Sequence, residues 1–107
     1  MNFANFNLFE IAKAAYQQHL ENEYNGWNSS NERKAFPVEF DKGSTYMRVV
    51  STKNGRSSHS FIVLKPVKGF QVGDILKSAS WKTPALNFKR GNIFQPETWK
   101  SIRWTGC

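Results

Sequence analysis

YMRVVSTKNGRSSHSFIVLK, residues 46–65, carries two β-rich runs, Tyr46 to Thr52 and Ser57 to Lys65, around Lys53-Asn54-Gly55-Arg56. Asn-Gly between such runs predicts a two-residue hairpin loop, because both loop positions need positive φ and Asn and Gly tolerate it best. A loop at Asn54-Gly55 pairs Lys53 with Arg56 and sets the later partners: Val50 opposite His59, Arg48 opposite Phe61, Tyr46 opposite Val63. One hairpin face then carries Tyr46, Arg48, Val50, His59, Phe61 and Val63. The other carries Met47, Val49, Ile62 and Leu64; it is the more aliphatic and is expected to be the core.

Upstream of the hairpin the period is also two: Phe36, Val38 and Phe40 alternate, with Pro37 marking an edge or a strand start. Further back, Asn7 and Glu10 have capping-box spacing and Phe6 is placed to staple to Ile11. The spacing predicts a helix from about Leu8 to Tyr24 that ends near Asn25-Gly26. Leu8, Ile11, Ala12, Ala15, Tyr16 and Leu20 form one broad apolar face with His19 inside it, while Lys13, Gln17 and Glu21 point away. Asn28 to Lys34 is polar and reads as a mobile connector.

Downstream, Lys68-Gly69 and Gly73-Asp74 are turn signals, and Ile75 to Trp81 reads as a strand limited by Pro84. Ala85 to Asn92 reads as loop. Ile93-Phe94 is expected to form a short strand, Pro96 to Trp99 one helical turn opened by Pro, and Ile102 to Thr105 a closing strand. Together these predict an α+β fold: an N-terminal helix packed on a mostly antiparallel sheet of about five or six strands, as a sandwich or partly rolled barrel. The length suits one domain, 1–107, with a helix at 8–25, a linker at 26–35 and a β-rich basic region at 36–107.

Charge divides by position. Met1 to Asp41 holds 6 acidic and 3 basic residues, whereas Lys42 to Cys107 holds 2 acidic and 12 basic, within a net charge of +7. No acid falls between Asp74 and Glu97, a gap that carries Lys77, Lys82, Lys89 and Arg90 among Trp81, Phe88 and Phe94. Cations neutralise phosphates and aromatic rings stack on unpaired bases, so the stretch Lys77 to Arg103 suits single-stranded or flexible nucleic acid. Its expected contacts are Lys77, Trp81, Lys82, Phe88, Lys89, Arg90, Lys100 and Arg103. Trp81, Phe94 and Trp104 also fit a core, where large apolar side chains more often lie. Alternation along Ile75 to Lys82 places Lys77 and Trp81 on one face, which weakens that alternative. A secondary face, Tyr46, Arg48, His59 and Phe61, has the chemistry of a base-stacking sheet.

Catalytic and metal signals are thin. Cys107 is the single cysteine, which excludes an internal disulfide and a Cys-based metal site and fits a reducing cytoplasm. The two histidines lack ligand-spaced partners, so no zinc or iron site and no cofactor is expected. Glu39 and Asp41 on one side of a strand have the chemistry to hold magnesium, but acids so placed are more often solvated. A small nuclease or toxin-like enzyme using His59 with Arg48 is the weakest alternative, and the protein is expected not to be an enzyme. The N-terminal stretch lacks a cationic head, and no apolar run reaches membrane-spanning length, so a soluble cytoplasmic protein with no membrane partner is expected.

Three segments taken together, His59-Ser60-Phe61-Ile62, Gly73-Asp74-Ile75-Leu76-Lys77, and Ala79-Ser80-Trp81-Lys82-Thr83-Pro84-Ala85 followed by Arg90-Gly91-Asn92, resemble a group of small proteins of tailed bacteriophages with a Trp-Lys-x-Pro-Ala element. The resemblance covers roughly Tyr46 to Asn92 and leaves out Met1 to Ala35 and the tail after Phe94. It implies the cytoplasm of an infected bacterium as the setting and lends no site residues. The expected function is a non-enzymatic module that binds an anionic partner, foremost nucleic acid. Its rival is an inhibitor or modulator of a host protein acting through a protein interface.

Overall fold

A computed structural model gives the fold and describes residues 3–27, 32–53 and 55–106, with side chains within the first helix described for 8–26. Helix α1 spans Phe3–Trp27. Strands β1 (Val38–Lys42), β2 (Tyr46–Ser51), β3 (Ser57–Val63), β4 (Asp74–Lys77) and β5 (Gly91–Asn92) follow, and then a 3₁₀ helix, Pro96–Ser101. Each strand pairs antiparallel with its sequence neighbour, giving an open sheet in the order β1-β2-β3-β4-β5. The architecture is α+β, with one helix over an antiparallel five-stranded sheet that stays open and does not close into a barrel.

The helix begins at Phe3, so the expected cap at Asn7 lies inside it, and the Asn7 and Phe6 side chains fall outside the described ones. Its inward face also differs from the expected one. Ala12, Tyr16 and Leu20 are buried, with Phe9, Ala15 and Tyr24 packed beside them. Leu8 and Ile11 are 55% and 65% exposed, left out because the stripe that meets the sheet starts one position away, at Phe9. Lys13 does not point away; its ammonium lies 5.5 Å from the Phe40 ring centroid on β1 and 5.7 Å from that of Phe9. Of the expected connector, residues 28–31 lie outside the described ones. At its far end, the Asn25 amide bonds the Lys34 backbone in both directions, at 2.7 and 2.8 Å, and ties the end of α1 to the chain entering β1.

The main core lies between α1, the 3₁₀ helix and one sheet face. Met47, Val49, Ile62 and Ile75 meet Tyr16, Leu20, Trp99 and Ile102, which is the hairpin face chosen on aliphatic content. A smaller cluster, Phe61, Val63 and Leu76, fills the other face beneath Tyr46, Val67 and Phe70. Val67 and Phe70 arrive there through the turn at Lys68-Gly69, whose φ values are both positive and whose ends exchange hydrogen bonds at 3.1 and 2.8 Å.

The hairpin register holds at Tyr46 with Val63 and at Arg48 with Phe61, then slips by one between Val49 and Val50. Val49 pairs with Ser60 and Val50 with Ser58, so His59 is the extra residue of a β-bulge rather than the partner of Val50. A bulge sends two consecutive side chains to the same side. The slipped register pairs Ser51 with Ser57, so Lys53 does not face Arg56 as a two-residue loop would require and instead falls within the connection; Gly55 has a positive φ, +83°, and Asn54 lies outside the described residues.

Three further expectations fail. Strand β4 stops at Lys77 instead of Trp81, because the Ser80 hydroxyl accepts the Lys82 and Thr83 amides at 3.3 and 3.2 Å and curls the chain into a turn. Ile102 to Thr105 is no strand; Arg103 and Gly106 exchange backbone hydrogen bonds at 2.7 and 3.0 Å and form a tight turn. The short strand expected at Ile93-Phe94 lies two residues earlier, at Gly91–Asn92.

Candidate functional site

The turn after β4 lifts Trp81 onto the sheet face opposite α1, where the residue is 39% exposed. The Arg48 guanidinium lies 4.1 Å from the ring centroid, donates to the Trp81 carbonyl at 3.1 Å and reaches Asp41 at 3.2 Å. Arg56, 6.0 Å from the same centroid, donates to Glu39 and, at 3.3 Å, to Asp41. The Glu39 carboxylate raises the Arg56 pKa above its ordinary value, first by hydrogen bonding and then by its charge. Glu39 and Asp41, weighed from sequence as magnesium ligands, are thus engaged by arginines. Among the described residues no group of three or more His, Cys, Asp or Glu stands placed to hold a metal ion.

Residues 85–90 form a loop pinned at both ends to β4, by the Ala85 amide on the Lys77 carbonyl and the Arg90 amide on the Ile75 carbonyl, each at 2.7 Å. Between the pins Leu86 and Phe88 are exposed, Phe88 by 56%. The Arg90 guanidinium lies 4.0 Å from the Phe88 centroid, repeating the arrangement at Trp81. Lys89 faces the buried carboxylate of Asp74 at 3.6 Å, which also accepts from the Gln71 amide and from Asn92.

A third group gathers on the helix side of the sheet. Lys77 pairs across strands with Ser60, whose hydroxyl meets Tyr16 of α1 at 3.0 Å. Lys77 and Trp81 therefore sit on opposite faces, contrary to the alternation that a longer strand would impose. A cleft of about 340 Å³ is lined by Lys77, Arg103, His59 and the hydroxyl residues Ser58, Ser78, Ser101 and Thr105, with Gly106. Arg103 is held by Glu23 at 3.1 Å.

His59 lies at the back of this cleft and is buried. Its Nε2–H donates to the Arg103 carbonyl at 2.7 Å, since a carbonyl can only accept. Nδ1 of the neutral ring then accepts from the Ser60 hydroxyl at 2.9 Å, which in turn accepts from Tyr16. Burial is the main cause that pushes the His59 pKa below its ordinary value, with the Arg103 bond acting against it. The ring ties β3 to the C-terminal turn.

Seven of the eight residues expected along Lys77 to Arg103 thus fall into three groups: Trp81 with Lys82 in one turn, Phe88 to Arg90 in one loop, and Lys77 with Arg103 across the cleft. Lys100 is exposed on the 3₁₀ helix. The secondary face is not a free platform. Phe61 is buried under Val67 and Phe70, and the bulge carries His59 to the other side of the sheet. The hydroxyl lining of the cleft was missed, although Ser58 within one apolar strand and Ser78 just past another were its signal.

Comparison with curated proteins and with solved structures gives no match to this chain. A family model does match, and it is not confined to the segment around the Trp-Lys-x-Pro-Ala element, since it also takes in the helix and the C-terminal turn. On that extent, residues 2–106, the chain belongs to a family of unknown function, DUF7717.

Proposed function

We propose that the protein is a small non-enzymatic module that binds single-stranded or flexible nucleic acid, working in the cytoplasm of a phage-infected bacterium. The observation that carries this reading is the pair of half-exposed rings, Trp81 and Phe88, each backed by a guanidinium at 4.1 and 4.0 Å. A ring held from behind is already oriented to stack on a base, and the adjoining cation supplies the charge a phosphate needs. Lys82 stands next to Trp81, and among the described residues it has no ion pair. The non-enzymatic part of the reading is supported by His59, the residue best suited to be a base, being buried with both ring nitrogens engaged. The phage setting rests on the sequence resemblance.

Fluorescence anisotropy with single- and double-stranded oligonucleotides over a salt series tests the reading. Replacing Lys82, Lys89 and Arg90 together with Gln is expected to flatten the slope of log affinity against log salt by about 2 for single strands, if all three touch phosphate; Lys77, on the opposite face, is left out. Absence of binding to either form at low salt would move the assignment to the rival, a modulator of a host protein. Exposed Leu8 and Ile11 on the acidic helix favour that rival as an apolar contact.

A further inference from the structure

The geometry points to a separate anion site: the cleft beside His59 takes a phosphate dianion, free or as a terminal monoester. The cleft exists because β4 leaves β3 early. The two strands pair only at Ser60, Phe61 and Ile62, and past Lys77 the chain turns away, leaving the flank of Ser58 and His59 to be walled by the Arg103–Gly106 turn. Three segments thus converge, and what they bring is two cations and four hydroxyls with no carboxylate in the lining.

That inventory selects among anions. Two cations match the two charges of a phosphate monoester near neutral pH, and hydroxyls together with N–H groups suit an anion with three terminal oxygens better than a planar carboxylate. The Ser58 and Ser78 hydroxyls are 2.7 Å apart, so one donates to the other and the acceptor keeps its own proton for a ligand. Lys77 is exposed and, among the described residues, has no ion pair. Arg103 gives one guanidinium nitrogen to Glu23 and keeps the remaining N–H groups. The volume, about 340 Å³, is at the small end of ligand clefts and suits a phosphate with part of its carrier rather than a length of strand. The site lies on the sheet face opposite Trp81 and does not depend on the nucleic-acid reading.

The test is a titration of the full ¹⁵N-labelled chain with inorganic phosphate, with sodium chloride holding ionic strength constant. Saturable amide shifts centred on Ser58, Ser78, Ser101, Thr105 and Gly106 are expected. Lys77→Gln should weaken binding about tenfold or more and Ser101→Ala several-fold, both exposed positions where folding survives, while Trp81→Leu should leave phosphate binding unchanged. A nucleoside 5′-monophosphate, compared with the same nucleoside lacking phosphate, separates the sources. Tighter binding of the monophosphate than of inorganic phosphate assigns a terminal monoester, and equal binding assigns the free ion. Shifts that do not saturate, that chloride reproduces at equal ionic strength, or that persist undiminished in Lys77→Gln would overturn the site.

Discussion

Arg48 and Trp81, 33 residues apart in the chain, are joined twice: the guanidinium carbon lies 4.1 Å from the indole centroid, and an Arg48 N–H reaches the Trp81 carbonyl at 3.1 Å. The first contact holds the ring and the second holds the turn that carries it. Because the same guanidinium also bonds Asp41 on β1, the position of Trp81 is referred to the far edge of the sheet.

That relationship is measurable as a coupling energy. In a double-mutant cycle of Arg48→Met and Trp81→Leu, followed by urea denaturation, the two changes should interact by roughly 0.5–2 kcal/mol. Strictly additive effects would mean that the ring is positioned by something other than Arg48.

Gly55 sits at φ +83° with open space where a side chain would start, so a substitution there meets strain and no clash. Gly55→Val should cost roughly 1–3 kcal/mol, read as a lower melting temperature, because a β-branched residue is unfavourable in that conformation. An unchanged melting temperature would remove the tight turn from the fold.

Gly73 combines both penalties. Its φ is +91°, and a Cβ would stand 2.7 Å from two ring carbons of Phe94. Gly73→Ala should therefore destabilise by roughly 1–3 kcal/mol and displace Phe94 from its edge contact with Phe9, where the centroids are 5.8 Å apart. Urea midpoints measure the first effect and aromatic proton shifts the second; a variant as stable as the parent contradicts the packing described.

Acid should weaken the fold through His59. Its folded pKa lies below the ordinary 6.5, chiefly from burial, so the unfolded chain takes up a proton at a pH where the folded chain does not. Unfolding is then favoured as pH falls from above 6.5 toward the folded pKa, and this contribution levels off below it. NMR titration of the ring should give a pKa under 6.5, with the denaturant midpoint falling over the same window. A ring that titrates at or above 6.5 would rule out the buried neutral histidine.

How much of this was legible depended on whether the cause was local. Gly55 and Lys68-Gly69 announce their turns because the positive φ falls on the residues themselves. The bulge at His59 does not, since what holds the ring is the Arg103 carbonyl, 44 residues away. The early end of β4 had a local cause in Ser80 and Thr83, but a strand alternation running through Trp81 masked it. The candidate site suffered most from that single misplacement. With the strand ending at Lys77, Lys77 and Trp81 separate to opposite faces, and a basic stretch continuous in sequence becomes three groups in space. Both hairpin faces carry apolar residues because the Val67–Phe70 segment covers the second, which no pattern within the hairpin announces.

Tyr16 packs on Trp99, His19 donates to the Ile102 carbonyl, and Tyr24 meets Trp104. Each strand, by contrast, pairs with its neighbour in sequence. During synthesis the sheet can therefore assemble strand by strand as it leaves the ribosome, whereas α1, made earlier, waits for residues made last to complete the wall against it. A chain cut short before Trp99 would keep every strand and still expose the part of its helix that Trp99, Ile102 and Trp104 cover. Premature termination in this protein should yield an aggregating species rather than a smaller working one.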